Sequence, residues 1–204
     1  MADYILGDVG SLQTDSQTQQ AVAYIPSTSA SNDDTLKGEG GDDSVLGGGG
    51  ADDITTAAGD DAVLGDYGWI STDFSGSLVS ILSESDVGGK DKISLGEDGQ
   101  ERNYAVAGGG DDTVAGGAGV DVVVGDSGEI QISDASGQEV SADTALFLTG
   151  GVDLIETYAG QDLVIGSAMG DIIDSGTEDD AVLGDFGTIV GSLAGDLYSI
   201  VTYT

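Results

Sequence analysis

Aspartate returns at one phase of a nine-residue period. GEGGDDSVL (Gly38 to Leu46), GGGGADDIT (Gly47 to Thr55) and TAAGDDAVL (Thr56 to Leu64) follow one another without a gap, behind a unit that ends Asp34-Thr35-Leu36-Lys37. Each carries aspartate at position six, an aliphatic residue at position eight and glycine ahead of them. Carboxylates supply charge and hard oxygen, and glycine lets the backbone approach an ion closely and turn its carbonyls inward. Calcium is a hard cation that takes six to eight such oxygens in a tolerant geometry. Stacked turns could share each ion, with carboxylates from one and carbonyls from the next, which is a reason for the units to come in uninterrupted groups.

The pattern recurs twice more. A second block runs from Asp91 through a stretched unit, in which Asn103 takes the aspartate slot, to AGGGDDTVA (Ala107 to Ala115) and GGAGVDVVV (Gly116 to Val124). A third comprises LTGGVDLIE, TYAGQDLVI, GSAMGDIID and SGTEDDAVL, from Leu148 to Leu183, with Met169 where a fourth-position glycine is expected. Each block closes with an aliphatic-Gly-Asp-x-Gly cassette, at Leu64 to Gly68, Val124 to Gly128 and Leu183 to Gly187, and an earlier copy spans Leu6 to Gly10. The cassettes stand about sixty residues apart, so a long period overlies the short one, as in repeat architectures.

The nonapeptide resembles the RTX, or hemolysin-type, calcium-binding repeat GGxGxDxUx, where U is a large aliphatic residue. The resemblance covers the three blocks, a little over half of the chain. It implies an all-β fold of elongated parallel β-roll (β-solenoid) blocks, in which two nonapeptides make one coil, six residues forming a calcium-binding turn and three a short strand. As ligands it implies the position-six residues Asp34, Asp43, Asp52, Asp61, Asp91, Asp112, Asp121, Asp153, Asp162, Asp171 and Asp180. It adds the turn glycines Gly38, Gly40, Gly41, Gly47, Gly48, Gly50, Gly59, Gly108, Gly110, Gly116, Gly117, Gly119, Gly151, Gly160 and Gly166. The cassette aspartates Asp66, Asp126 and Asp185, with Asp8, lie outside the motif; they are expected to close the last calcium site of a block, or else to bond their own turn. Several Ca2+ ions, roughly two to three per long repeat, are expected.

Composition constrains the partners. The 204 residues include 38 Asp and Glu against 4 Lys and Arg, with 36 Gly and no Cys or His, for a formal charge of -34. That charge opposes compaction of the bare chain, and so many glycines raise the entropic cost of ordering it. Metal binding is therefore expected to supply much of the folding free energy. Nucleic acid is excluded as a partner, since a phosphate backbone needs Lys and Arg, and no run approaches the eighteen apolar residues of a membrane span.

Between blocks the period changes to two. SLQTDSQTQQAVAYIPST, WISTDFSGSLVSILSES, EIQISDASGQEVSADTALF and TIVGSLAGDLYSIVTYT read as β-hairpins interspersed between the rolls. Their aromatics, Tyr24, Trp69, Phe74, Phe147, Tyr198 and Tyr203, are expected to fill a small core between hairpin and roll, with ligand binding as the alternative. The position-eight aliphatics should face inward as the core of the roll. The organisation that follows is a tail of a preceding unit plus hairpin over 1–33, then units at 34–90 (roll 34–68, hairpin 69–85), 91–147 (roll 91–128, hairpin 129–147) and 148–204 (roll 148–187, hairpin 188–204). They would form one elongated body, expected to be a segment of a longer repetitive protein.

No catalytic constellation survives inspection. Gly125-Asp126-Ser127-Gly128 and Asp185-Phe186-Gly187 echo enzyme motifs but are cassette copies, and without histidine no Ser-His-Asp triad can form. The expectation is a non-enzymatic, calcium-binding structural segment of a secreted or cell-surface bacterial protein, exported by type I secretion if the resemblance holds. It would fold and stiffen on extracellular calcium as an adhesin or surface-layer type extender, with a cell-surface polysaccharide or protein as a further partner. The alternatives are a non-catalytic module of a secreted polysaccharide-modifying or hydrolytic enzyme, or a carbohydrate-binding surface.

Overall fold

The last three residues of each nonapeptide become a strand, because an aliphatic position eight between two outward side chains suits a pleated surface. The computed structural model describes residues 3–17, 20–28, 31–85, 87–96, 101–132, 139–144, 149–192 and 197–203. Its elements are all β-strands. The expected start of the third block at Leu148, much of the stretched unit before Glu101, and Phe147 lie outside the described residues.

Successive units send their strands alternately to two parallel sheets. The seven-stranded sheet contains, in order, β1 (Tyr4–Leu6), β5 (Ser44–Leu46), β7 (Ala62–Leu64), β11 (Arg102–Val106), β13 (Val120–Val124), β17 (Leu163–Ile165) and β19 (Ala181–Leu183). The six-stranded sheet contains β4 (Thr35–Lys37), β6 (Asp53–Thr55), β10 (Lys92–Ser94), β12 (Thr113–Ala115), β16 (Leu154–Glu156) and β18 (Ile172–Asp174). Registers are in phase, Val45 with Val63 and Ile54 with Ile93 for example, so position eight forms two columns. These columns meet in a dry cluster of Leu36, Val45, Ile54, Val63, Ile93, Val114, Val123, Ile155 and Val164. Each such side chain contributes about 1.5–3 kcal/mol on burial. Val182, on β19, is 41% exposed and marks the open end of its column. Short parallel strands joined by six-residue turns fit a β-roll.

A third layer covers one of these sheets. The four hairpins are β2 (Ser11–Asp15) with β3 (Gln20–Ile25), β8 (Gly68–Asp73) with β9 (Leu78–Ser83), β14 (Glu129–Ile132) with β15 (Glu139–Asp143), and β20 (Gly187–Ser192) with β21 (Leu197–Thr202). They join side by side, β3 to β8, β9 to β14 and β15 to β20, into one eight-stranded antiparallel sheet. Its inner residues, among them Ala23, Ile25, Ile70, Ile81, Ile130, Val140 and Ile189, pack on Leu46, Leu64, Val106, Val124, Ile165 and Leu183 of the seven-stranded sheet. Those partners all occupy position nine. Units feeding the other sheet carry Lys37, Thr55, Ser94, Ala115, Glu156 and Asp174 there, which suits an uncovered face.

The hairpin aromatics do not fill this core. Tyr24 and Trp69 alternate with buried Ala23, Ile25 and Ile70 and therefore lie on the opposite face, while Phe74 and Tyr203 are exposed. The side chain of Tyr198 is outside the described set. The gap between two closely paired sheets is filled by aliphatic residues instead, with Tyr67 and Tyr104 of the roll joining them.

Candidate metal centre

Position six immediately precedes each strand, or in β11 and β13 is its second residue, so parallel pairing in phase stacks the aspartates along both edges of the roll. The first edge holds the turns that lead into the six-stranded sheet. There the Asp34 N–H donates to Asp52 Oδ1 (2.8 Å), Asp52 N–H to Asp91 (2.8 Å), Asp91 N–H to Asp112 (2.7 Å), Asp112 N–H to Asp153 (2.8 Å) and Asp153 N–H to Asp171 (3.0 Å). One oxygen of each acceptor carboxylate is thereby satisfied. The other, Oδ2, is buried without a hydrogen-bond partner in all six residues, Asp34, Asp52, Asp91, Asp112, Asp153 and Asp171. A buried acceptor left unmet costs about 1–3 kcal/mol, and more when charged. Burial accordingly pushes the carboxyls up, Asp52 to about 6, Asp112 to about 7, and Asp91 and Asp153 to about 8, with neighbouring aspartates adding to the rise. Asp171 is raised by burial as well.

The free oxygens point into glycine-lined cradles. A Cβ at Gly47 would collide with the Gly65 carbonyl oxygen of the next coil and with Asp52 Oδ2. A Cβ at Gly125 would lie 2.5 Å from Asp153 Oδ2 and 2.6 Å from the Gly166 carbonyl oxygen; Gly65 and Gly166 repeat the arrangement with Asp91 and Asp171. Carboxylate and carbonyl oxygens from two coils thus converge where a side chain is excluded. Among the described residues no three carboxylates cluster, so an ion here would draw its remaining oxygens from the backbone. Calcium, which accepts carbonyl oxygen readily, fits this donor set.

The second edge, leading into the seven-stranded sheet, is less uniform. Its ladder runs from the Asp43 N–H to Asp61 (2.9 Å), Asp61 N–H to Asn103 Oδ1 (3.3 Å), Asn103 Nδ2 to Asp121 (3.1 Å), Asp121 N–H to Asp162 (2.8 Å) and Asp162 N–H to Asp180 (3.1 Å). Asp61 and Asp162 keep an unmet Oδ2, but Asp121 Oδ2 accepts the Gly117 N–H at 2.8 Å. Asn103 preserves the ladder yet offers an N–H2 group where its neighbours offer an anionic oxygen. Burial raises Asp61 and Asp162 to about 6 and Asp121 to about 7, and it raises Asp43. Position one, glycine on most of the first edge, is here Gly38, Thr56, Leu95, Gly116, Thr157 and Ser175. Glu101, in the turn that carries Asn103, has a buried Oε2 without a partner. The sequence reading passed over it because it falls in the stretched unit, off the nine-residue phase.

The remaining glycines divide by position. At position four, Gly41, Gly50, Gly59, Gly110 and Gly160 adopt positive φ, and a Cβ at Gly59, Gly110, Gly119, Gly151 or Gly160 would strike a carbonyl of an adjacent coil. Met169 and Glu178 hold the same left-handed conformation at φ 71° and 85°, a strained choice for L-residues. Gly40 bridges to Ala58 in the neighbouring turn. At position two, Gly48 and Gly108 sit against cassette aspartates.

The cassette aspartates have a different environment. Asp66 accepts the N–H groups of Gly89 (3.2 Å) and Gly109 (2.6 Å), and Asp126 those of Gly151 and Ala168 (both 2.7 Å). Asp8 likewise accepts from Gly49 (2.8 Å) and Asn32 Nδ2 (3.0 Å). Both oxygens are occupied by donors from the far leg of the hairpin insertion and from the following coil, not from their own turn. Burial raises Asp66 to about 10 and Asp126 to about 7 against the pull of these bonds. Asp185 is exposed.

Residues 29–63 and 97–129 match the family described as the RTX calcium-binding nonapeptide repeat (4 copies). The chain carries RTX calcium-binding repeats. Such RTX repeats bind calcium, in keeping with the oxygen-only cradles. The third block lies outside the matched segments, although its aspartates continue both ladders. No curated protein matches the chain.

Proposed function

We propose that this RTX segment is a calcium-built β-roll that orders and stiffens outside the cell as a structural extender of a secreted or surface-attached, adhesin-like protein. The observation that carries the reading is the row of six buried, unpartnered Oδ2 atoms on the first edge. Position-six aspartates supply the charge, and turn carbonyls complete the shell. Bound calcium would offset the repulsion of closely stacked carboxylates, which the bare chain of net charge -34 must otherwise bear. Asp66 and Asp126 act as clamps that hold each hairpin insertion to the roll, since their oxygens already face N–H donors. That both parallel sheets and the hairpin layer run across the units 34–90, 91–147 and 148–204 supports reading them as one continuous solenoid. Low calcium within a cell would leave the chain extended for type I export.

Circular dichroism with small-angle scattering, titrated with calcium and separately with magnesium, tests the reading. Calcium is expected to convert an expanded chain into a β-rich rod. Equal order in chelator, or equal effect of magnesium, overturns it.

A further inference from the structure

The outer face of the hairpin layer carries a groove of about 500 Å³, remote in role from the aspartate ladders. Trp69, Tyr24, Gln13, Gln20, Ser71 and Ser80 line it together with Val22 and Val79, contributed by β8, β3, β2 and β9. Strand alternation explains their presence there. Ala21, Ala23, Ile25 and Ile70 are turned toward the roll and buried, which leaves Gln20, Tyr24 and Trp69 on the outer face, with Ser71 beneath them at 6% exposure. Tyr24 and Trp69 are cross-strand partners with ring centroids 6.2 Å apart and planes at 61°. The Tyr24 hydroxyl donates to the Glu84 carboxylate at 3.1 Å, which tethers that ring beside Trp69 before any ligand arrives. Preorganised rings lose little entropy on binding.

The lining is chemically unusual for this chain. Asp and Glu number 38 of 204 residues, yet among the described residues none that lines the groove is charged, the Glu84 carboxylate standing at its rim on the Tyr24 hydroxyl. A metal ion would find no cluster of carboxylates among those lining residues, and an anion would have to enter the field of a strongly negative protein. A wholly apolar ligand would strip water from two carboxamides and two hydroxyls without replacing their hydrogen bonds. A neutral sugar meets both kinds of lining, the polar side chains with its hydroxyls and the rings, Val22 and Val79 with its C–H faces. Its ring has apolar C–H faces that lie against an aromatic plane, and its hydroxyls donate and accept in the way Gln and Ser side chains require. We propose that this groove binds a neutral saccharide, with a pyranose ring against Trp69 and its hydroxyls paired to Gln13, Gln20, Ser71 and Ser80. This goes beyond the calcium reading and depends on it only in that the hairpin layer must be folded.

Trp69 is the sole tryptophan, so its fluorescence reports the groove directly. At saturating calcium, the protein is titrated with neutral hexamers of glucose, mannose, xylose and N-acetylglucosamine, and with a hyaluronan hexamer as the charged control. A saturable Trp69 shift with at least one neutral hexamer and none with hyaluronan is expected. The double variant Gln13→Ala, Gln20→Ala retains the fluorophore and alters only the outer face; it should bind at least tenfold more weakly. No saturable shift with any neutral hexamer, or unchanged affinity in the double variant, overturns the proposal. Circular dichroism on the same samples separates the two readings. A chain equally β-rich without metal sinks the calcium mechanism and leaves the sugar titration to decide the groove.

Discussion

The two edges of the roll are built from the same nonapeptide but hold their charge differently. On the first edge six successive carboxylates each keep one buried oxygen unmet, and all of their turns but that of Asp112, which has Ala107 at position one, hold a glycine there with no room for a Cβ. On the second, Asn103 replaces one carboxylate, Gly117 satisfies another, and Thr or Ser stands at three of the position-one sites. All four hairpins also depart from the first edge, in alternate turns, under the cassette clamps. The edge with the greatest unmet negative charge is thus the one that anchors the hairpin layer. Repetition of a motif does not imply equal sites, because a ligand cradle depends on the neighbouring coil as much as on its own unit.

The largest expected effect concerns protons. In metal-free protein the folded-state carboxyls of Asp52, Asp61, Asp91, Asp112, Asp121, Asp153 and Asp162 lie at about 6 to about 8, above the ordinary carboxylate range of the unfolded chain. The folded state then binds more protons, so the stability they contribute to the metal-free fold is fully present below about pH 4 and is lost as pH rises through the folded values. Calcium needs the deprotonated forms, so its folding midpoint should fall as pH rises. Metal-stripped protein followed by circular dichroism from pH 4 to pH 9 checks this; β order that grows as pH rises would sink the claim.

Gly47→Ala places a methyl against the Gly65 carbonyl and Asp52, and should cost about 2–3 kcal/mol in calcium. Thr56→Gly on the second edge removes a buried side chain without forcing a clash and should cost less, about 1 kcal/mol. Thermal unfolding of the pair measures the difference directly.

On the first edge charge can be removed without breaking the ladder, since an Asn carbonyl oxygen can take the one accepted N–H, as that of Asn103 does. Asp112→Asn should raise the calcium concentration for half-folding about tenfold, equivalent to about 1.4 kcal/mol. Asp121→Asn on the second edge should instead lower the Tm with calcium saturating, because both Asp121 oxygens accept N–H groups, from Asn103 and Gly117, and an Asn NH2 must face one of them. Conversely, Asn103→Asp should add calcium-binding capacity by calorimetry, and an unchanged stoichiometry would point to Glu101 as the carboxylate already serving that turn.

The smallest effect belongs to the third block. Met169→Gly relieves a left-handed residue and should stabilise the folded protein by about 1 kcal/mol, visible as a rise in Tm. A fall would mean that the exposed Met169 side chain makes a contact worth more than its backbone strain.

Much of this was legible in the primary sequence. The aspartate phase located both ladders, and the position-eight aliphatics located the inner core, Val45 and Ile54 included. The alternation of Leu46 and Leu64 with Lys37 and Thr55 at position nine also marked which sheet would be covered, a signal with a period of two units that a nine-residue alignment averages away. The sequence alone determined what repeats locally, since a parallel register carries each unit's pattern to the next. Tertiary structure decided that four hairpins would fuse into one sheet, that Tyr24 and Trp69 would face outward, and that Asp66 and Asp126 would bond N–H groups beyond a hairpin insertion. Those contacts close across detours of irregular length, where no period links the partners and only packing against the seven-stranded sheet sets the register.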